Sequence, residues 1–160
     1  MIIGIDPDVE LSGVAVTEAG RIISLDKMAL FELVAFIDEH KHQAVFHLED
    51  IQHVKPTFPR FMKDNRGCVR PVTPAVRDNI SQKVGMVKAA ARFIQDGLRN
   101  EGAEYVLIKP LKGDIKKAKS DAQYFNRLTG WKGRSNEDNR DAALLALYGN
   151  ASKKVQLGKA

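Results

Sequence analysis

MIIGIDPDVELSGVAV, residues 1–16, sets an apolar run against a carboxylate: Ile2, Ile3 and Ile5 read as a strand bound for the interior, and the strand ends on Asp6. Even a neutral polar group buried without a partner costs about 2–7 kcal/mol, so Asp6 requires a compensating cation or hydrogen bonds. What supplies that compensation decides the function. Across a turn at Asp8, residues 12–17 read as a second strand, and beyond Gly20 residues 21–25 read as a third. Three short strands in succession predict an antiparallel meander.

Further along, Leu33, Val34 and Ile37 give residues 31–39 a helical period, and the apolar run 44–48 predicts a fourth strand that also runs into acid, at Glu49 and Asp50. Residues 53–79 carry prolines at 56, 59, 71 and 74 with no sustained period, which predicts a long loop. A helix follows over 80–98, where Ile80, Val84, Val87, Ala91, Ile94 and Leu98 form one stripe and Gly85, Ala89 and Ala90 keep part of the surface narrow. A fifth strand is expected over 105–109, a helix over 119–128, and a closing helix over 136–148 capped by Ser135. The expectation is one mixed α/β domain, residues 1–150, with a five-stranded sheet flanked by helices, and a basic, flexible tail over 151–160.

The 160 residues are 44% apolar and 28% charged, as in an ordinary soluble domain large enough to bury a core. No apolar run approaches the roughly 18 residues of a membrane span, and no basic segment precedes an apolar one at the start, so a cytoplasmic protein without membrane contact is expected. The single cysteine, Cys68, has no partner for an internal disulfide. A net charge of +5 favours a polyanionic partner, and the distribution of the charge is what discriminates.

Asp138 and Asp141 stand three apart in the closing helix and share a face that continues into Leu144, Leu145 and Tyr148. Two readings are open for Asp138: it stands three residues after Ser135, where an acid completes a capping box, or it belongs to a site. Asp141 lies too far along the helix to cap it. Asp6, Glu49, Asp138 and Asp141 thus all fall at strand or helix ends, and four converging acids repel one another without a cation. Hard oxygen donors of this kind suit Mg²⁺ or Mn²⁺. Paired ions about 3.5–4 Å apart activate water and stabilise the leaving oxygen of a displacement at phosphorus.

Together these segments resemble the RuvC family of Holliday-junction resolvases, in the ribonuclease H-like superfamily. GIDPDVELSGVAV resembles the family's first hairpin, FHLEDIQ its glutamate-bearing strand, ISQKVGMVKAAARFI its long helix and EDNRDAALLALYG its closing helix, in the family's order and over almost the whole chain. The resemblance implies a ribonuclease H-like fold and a Mg²⁺-dependent homodimeric endonuclease, with Mn²⁺ as substitute, that nicks two opposed strands of a four-way junction. It implies that Asp6, Glu49 and Asp141 are metal ligands and Asp138 the fourth catalytic acid. Asp8 replaces the family's usual glycine after Asp-Pro, and Ser12-Gly13 its Thr-Gly. Asp50 competes with Glu49 as a ligand, although alternation turns it to the opposite side.

The loop sets Lys55, Arg60, Lys63, Arg66, Arg70 and Arg77 against Asp64 and Asp78, with Phe58 and Phe61 among them. Such cations neutralise phosphates, and one of the two rings could stack on bases at a branch point; the alternative is that both pack back on the body. Lys109, Lys112, Lys116 and Lys117 form a second cluster, in which Lys112 or Lys116 faces the scissile phosphate or simply lines a charged helix face. The helix over 80–98 is expected to form a homodimer, unless its stripe faces the chain's own sheet. Trp131 and His47 are expected to pack. Competing readings are a related nuclease on other branched DNA or RNA hybrids, a branched-DNA binder without catalysis, and one lobe of an actin-like nucleotide-binding fold, which needs two lobes.

Overall fold

The computed structural model describes residues 1–153 apart from 53, 56, 64 and 65. The strands β1 (Ile2–Asp6), β2 (Ser12–Glu18) and β3 (Arg21–Met28) form the antiparallel meander expected of them, followed by α1 (Leu30–His40) and β4 (Val45–Glu49). A small hairpin of β5 (Phe61–Lys63) and β6 (Val69–Pro71) precedes α2 (Pro74–Asn100) and β7 (Glu104–Ile108). The chain closes with α3 (Gly113–Ser120), α4 (Ala122–Thr129), α5 (Glu137–Tyr148) and β8 (Ala151–Lys153). In the main sheet the order is β3-β2-β1-β4-β7-β8. β1, β4 and β7 run parallel, so the mixed five-stranded sheet is present and the short β8 is added at its edge, antiparallel to β7.

Alternation along the strands divides the core in two. Ile3 and Ile5 of β1, Val14 of β2, Phe46 and Leu48 of β4 and Tyr105 of β7 point toward α1 and α2, where they meet Leu33, Ile37, Ile94 and Leu98. Ala15 and Ile108 point the other way, into a second cluster with Phe125 and residues 142–145 of α5. By the same alternation Gly4, Asp6, His47 and Glu49 belong to the α5 side. His47 packs as expected, its Nδ1 bonded to the Leu145 carbonyl at 3.0 Å. Trp131 is half-buried against this second cluster.

Five expected segments change. The helix expected over 80–98 begins at Pro74: Thr73 accepts a hydrogen bond from the Val76 N–H, and proline is favoured in a first turn where its missing N–H leaves nothing unsatisfied. The later half of its stripe serves the chain's own core, since Ala91, Ile94 and Leu98 are buried, while Ile80, Val84 and Val87 are only half-buried. The expected loop over 53–79 therefore also contains the β5–β6 hairpin. The helix expected over 119–128 is two helices, because Asp121 leaves helical geometry and its carboxylate caps α4 through the Tyr124 N–H at 2.9 Å. The closing helix is capped not by Ser135 but by Asn136, in a reciprocal pair with Asn139. The tail expected to begin at Ala151 starts with the three residues of β8, and residues 154–160 lie outside the described residues. Among the described residues no helix is long and apolar enough to cross a membrane.

Candidate functional site

The three parallel strands end at one edge of the sheet, the usual place for a site in such sheets. Ile5 pairs with Leu48, so one step further the register sets Asp6 beside Glu49. The third acid comes from α5, and two glycines let that helix approach. A Cβ built on Gly4 would lie 1.9 Å from the Ala142 carbonyl oxygen, and one on Gly13 would lie 2.3 Å from that of Asp138. With no side chain between them, helix and sheet touch backbone to backbone, which lowers Asp141 to the level of Asp6. The result is a group of Asp6, Glu49 and Asp141 in which one carboxylate oxygen from each lies within 4.8 Å of the others.

Asp138 is not in this group. It pairs with Lys27 of β3 at 2.6 Å, and with the Asn136–Asn139 box in place it does not complete a cap with Ser135. Asp50 is also outside the group, as alternation requires, and its backbone N–H donates to the Ile108 carbonyl at 2.7 Å.

A residue not singled out from the sequence completes the site. The ammonium of Lys119, in the last turn of α3, lies 2.5 Å from Asp141 Oδ2 and 3.5 Å from Asp6 Oδ2. Burial works against its charge, but Asp6, Asp141 and Glu49 outweigh it and hold the ammonium above the usual lysine range. Two signals pointed to it: Lys112, Lys116 and Lys119 follow helical i, i+4, i+7 spacing, and Asp121 is a residue that starts helices rather than continues them. Of the two lysines that were expected, Lys116 and Lys112 are both exposed, and Lys116 is near enough to Glu49 to favour its ionised form. A groove of about 400 Å³ runs beside Lys116, lined also by Gly113, Lys117, Lys119, Ser120 and Glu137.

The acids carry the cost of this crowding. Burial raises Asp6 well above the ordinary carboxylate range, Lys119 opposes the shift, and Asp141, Glu49 and Asp138 add to it. Burial likewise raises Glu49, with Asp141 adding, while Lys119 and a hydrogen bond with Asp6 pull the other way. Three carboxylates facing one ammonium form an oxygen-rich pocket short of positive charge. That donor set fits a hard divalent cation, Mg²⁺ or Mn²⁺.

The loop residues stand apart. Phe58 and Phe61 are 41% and 61% exposed, and neither belongs to the buried core. Arg60, Lys63, Arg66 and Arg70 are exposed as well, on or beside the β5–β6 hairpin, and Asp64 lies outside the described residues. Gln52, just beyond Glu49, ties the base of this excursion to α2 by donating to the Lys88 carbonyl at 3.0 Å.

The sequence matches no family model and no curated protein. Among solved structures, the chain is similar to Thermus thermophilus RuvC in complex with a Holliday junction substrate, with a TM-score of 0.53 and 17% identity over 91% of this chain and 89% of that one. A second structure of Thermus thermophilus RuvC aligns over 91% of this chain and 90% of that one, at 16% identity and a TM-score of 0.48. The fold is therefore the RuvC-like, ribonuclease H-like α/β fold expected from the sequence.

Proposed function

We propose that this chain is a divalent-metal-dependent endonuclease that resolves four-way DNA junctions by paired nicks. The observation that carries the reading is the meeting of Asp6, Glu49 and Asp141, from segments far apart in sequence, within 4.8 Å at the carboxyl edge of a RuvC-like sheet. A neighbour of the same fold was solved in complex with a Holliday junction substrate, which supports branched DNA as the partner.

In this reading Asp6, Glu49 and Asp141 hold Mg²⁺, with Mn²⁺ as a substitute, and Asp138 joins them only by giving up Lys27. The bound ions supply an activated water and charge stabilisation at the scissile phosphate. The chain's own residues do the rest. Lys119 holds an ammonium beside the carboxylates, where it meets the negative charge that grows on the phosphate. Lys112 and Lys116 guide the strand along the neighbouring groove. Arg60, Lys63, Arg66 and Arg70 neutralise backbone phosphates of the arms, and Phe58 or Phe61 stacks at the branch point. Two opposed nicks require two sites, and the exposed Met86 and Phe93 on α2 support a homodimer through that helix.

Incubation of four-way, three-way, flap and linear duplex substrates with Mg²⁺ tests the proposal. Paired, symmetric nicks in the four-way junction that disappear with chelator are expected; uniform cutting of all four substrates would instead indicate a nuclease of another class. One observation favours a binder without catalysis: Lys119 already neutralises part of the acidic group. Junction binding without Mg²⁺-dependent nicks would establish that second reading.

A further inference from the structure

Arg140 is 6% exposed, an unusual place for a guanidinium, and none of its described hydrogen bonds goes to a carboxylate. Its Nε–H donates to the Lys119 carbonyl at 2.7 Å, and its Nη1 donates to the carbonyl and the hydroxyl of Ser135, both at 3.2 Å. The side chain thus spans from the last turn of α3 to the residue that leads into α5. A helix leaves its last four carbonyls without intrahelical partners, and a cation there also suits the helix dipole. Arg140 satisfies one of those carbonyls, and it is the carbonyl of the residue whose ammonium reaches Asp141 and Asp6. Since Arg140 and Asp141 are adjacent, a single step of α5 presents a carboxylate and grips the backbone of the lysine that meets it.

We propose that Arg140 is a positioning residue that fixes Lys119 over the acidic group. It touches neither the carboxylates nor the substrate; it sets where the lysine backbone begins, and the four-carbon stem does the rest. Without this grip the last turn of α3 keeps only the packing of Ala118 against the α5 cluster, and the Lys119 ammonium samples solvent as well as its place between two carboxylates. The inference builds on the reading of Asp6, Glu49 and Asp141 as a metal-binding nuclease site, but its central test needs neither metal nor DNA.

That test is lysine side-chain NMR of the metal-free protein, with the Lys119 Nζ signal assigned by its loss in Lys119→Met. In the wild type the signal stands apart from those of the exposed lysines; in Arg140→Gln it moves among them, whereas Ser135→Ala, which keeps the Nε–H bond, leaves it in place. Arg140→Lys, which keeps the charge but not the two-ended reach, behaves like Arg140→Gln and serves if the latter does not fold. An unmoved Lys119 signal in a folded Arg140 variant overturns the proposal. The activity arm is a double-mutant cycle on junction cleavage at saturating substrate. Arg140→Gln lowers the rate about 10- to 100-fold, the range for losing a partner that orients a metal-site residue, and lowers it no further in the Lys119→Met background. Equal losses in both backgrounds assign Arg140 a general structural role and overturn positioning. A wild type that cuts nothing refutes the nuclease reading alone and leaves the NMR result to decide on Arg140.

Discussion

The face of the sheet beneath α5 and the excursion between β4 and α2 are built on opposite terms. Under α5 nearly everything is buried, backbone meets backbone at Gly4 and Gly13, and three carboxylates are held where their mutual repulsion is greatest. On the excursion the described residues of β5 and β6 are exposed, as are Phe58, Arg60 and Arg66. The contrast assigns two tasks. Chemistry at a phosphate needs atoms placed to a fraction of an ångström, and only a packed core provides that. Holding a branched polyanion needs reach and charge, which exposed side chains provide.

If the tasks divide in this way, substitutions on the two sides must fail differently. Asp6→Asn is expected to have the largest effect on cleavage, a loss of at least about a hundredfold, the upper end for removing even an outer partner of a metal site, with junction binding retained in a gel-shift assay. Substantial cleavage by this variant would remove Asp6 from the chemistry and dissolve the comparison.

Gly4→Ala tests the backbone contact itself. The new Cβ has nowhere to go, since the Ala142 carbonyl stands 1.9 Å from it and Ala146 Cβ 3.1 Å. Overpacking a tight interior costs about 1–3 kcal/mol, and here the helix that carries Asp141 must move to relieve it. Denaturant unfolding is expected to show that loss of stability together with a fall in cleavage, whereas an enzyme of unchanged stability would mean that α5 is not held by this contact.

Phe61→Ala and Phe58→Ala probe the other side. Base–aromatic stacking is worth about 1–3 kcal/mol, so the variant of the ring that stacks loses roughly 5- to 150-fold in affinity for a four-way junction. The other variant binds normally, and both unfold at the wild-type temperature because neither ring is part of the core. A shared loss of thermal stability would instead tie the excursion to the body.

Asp6, Glu49 and Asp141 were readable in advance because a carboxylate at the end of an apolar run, or on the buried face of a helix, conflicts with its surroundings and asks for a reason. The antiparallel meander followed from three short apolar runs parted by turn residues, whereas the order of the strands across the sheet came only with the structure. Lys119 was missed because the sequence reading began a helix there, whereas the residue lies in the last turn of α3, with its ammonium on Asp141. The start of α2 was missed because Pro74 looked like one more loop proline, although in a first turn it favours a helix. Asp138 drew two readings from its spacing, and the residue that claims it, Lys27, lies more than a hundred positions away, where no local pattern could announce it.

The smallest predicted effect follows from the strain on the buried side, and it runs against intuition. Burial chiefly, with neighbouring carboxylates adding, raises Asp6 and Glu49 above their ordinary values, so the folded chain binds protons there more readily than the unfolded chain does. For such a group the contribution to stability is complete below the unfolded pKa of about 4 and is lost as pH rises through the folded value. Lys119 is raised too, but its contribution lasts to strongly alkaline pH and does not enter this window. The metal-free protein is therefore expected to lose stability as pH rises from about 4 toward neutrality, and Mg²⁺ to restore it by binding the ionised acids. Asp6→Asn, which removes one crowded charge, should melt a few degrees above wild type at pH 8 with chelator present, at roughly 2–4 °C per kcal/mol. That advantage shrinks toward pH 4, where the wild-type acids are protonated. A variant that melts below wild type by the same amount at every pH would mean that Asp6 is held by its hydrogen bonds and is not strained, so the buried acids would no longer stand as the tense half of the molecule.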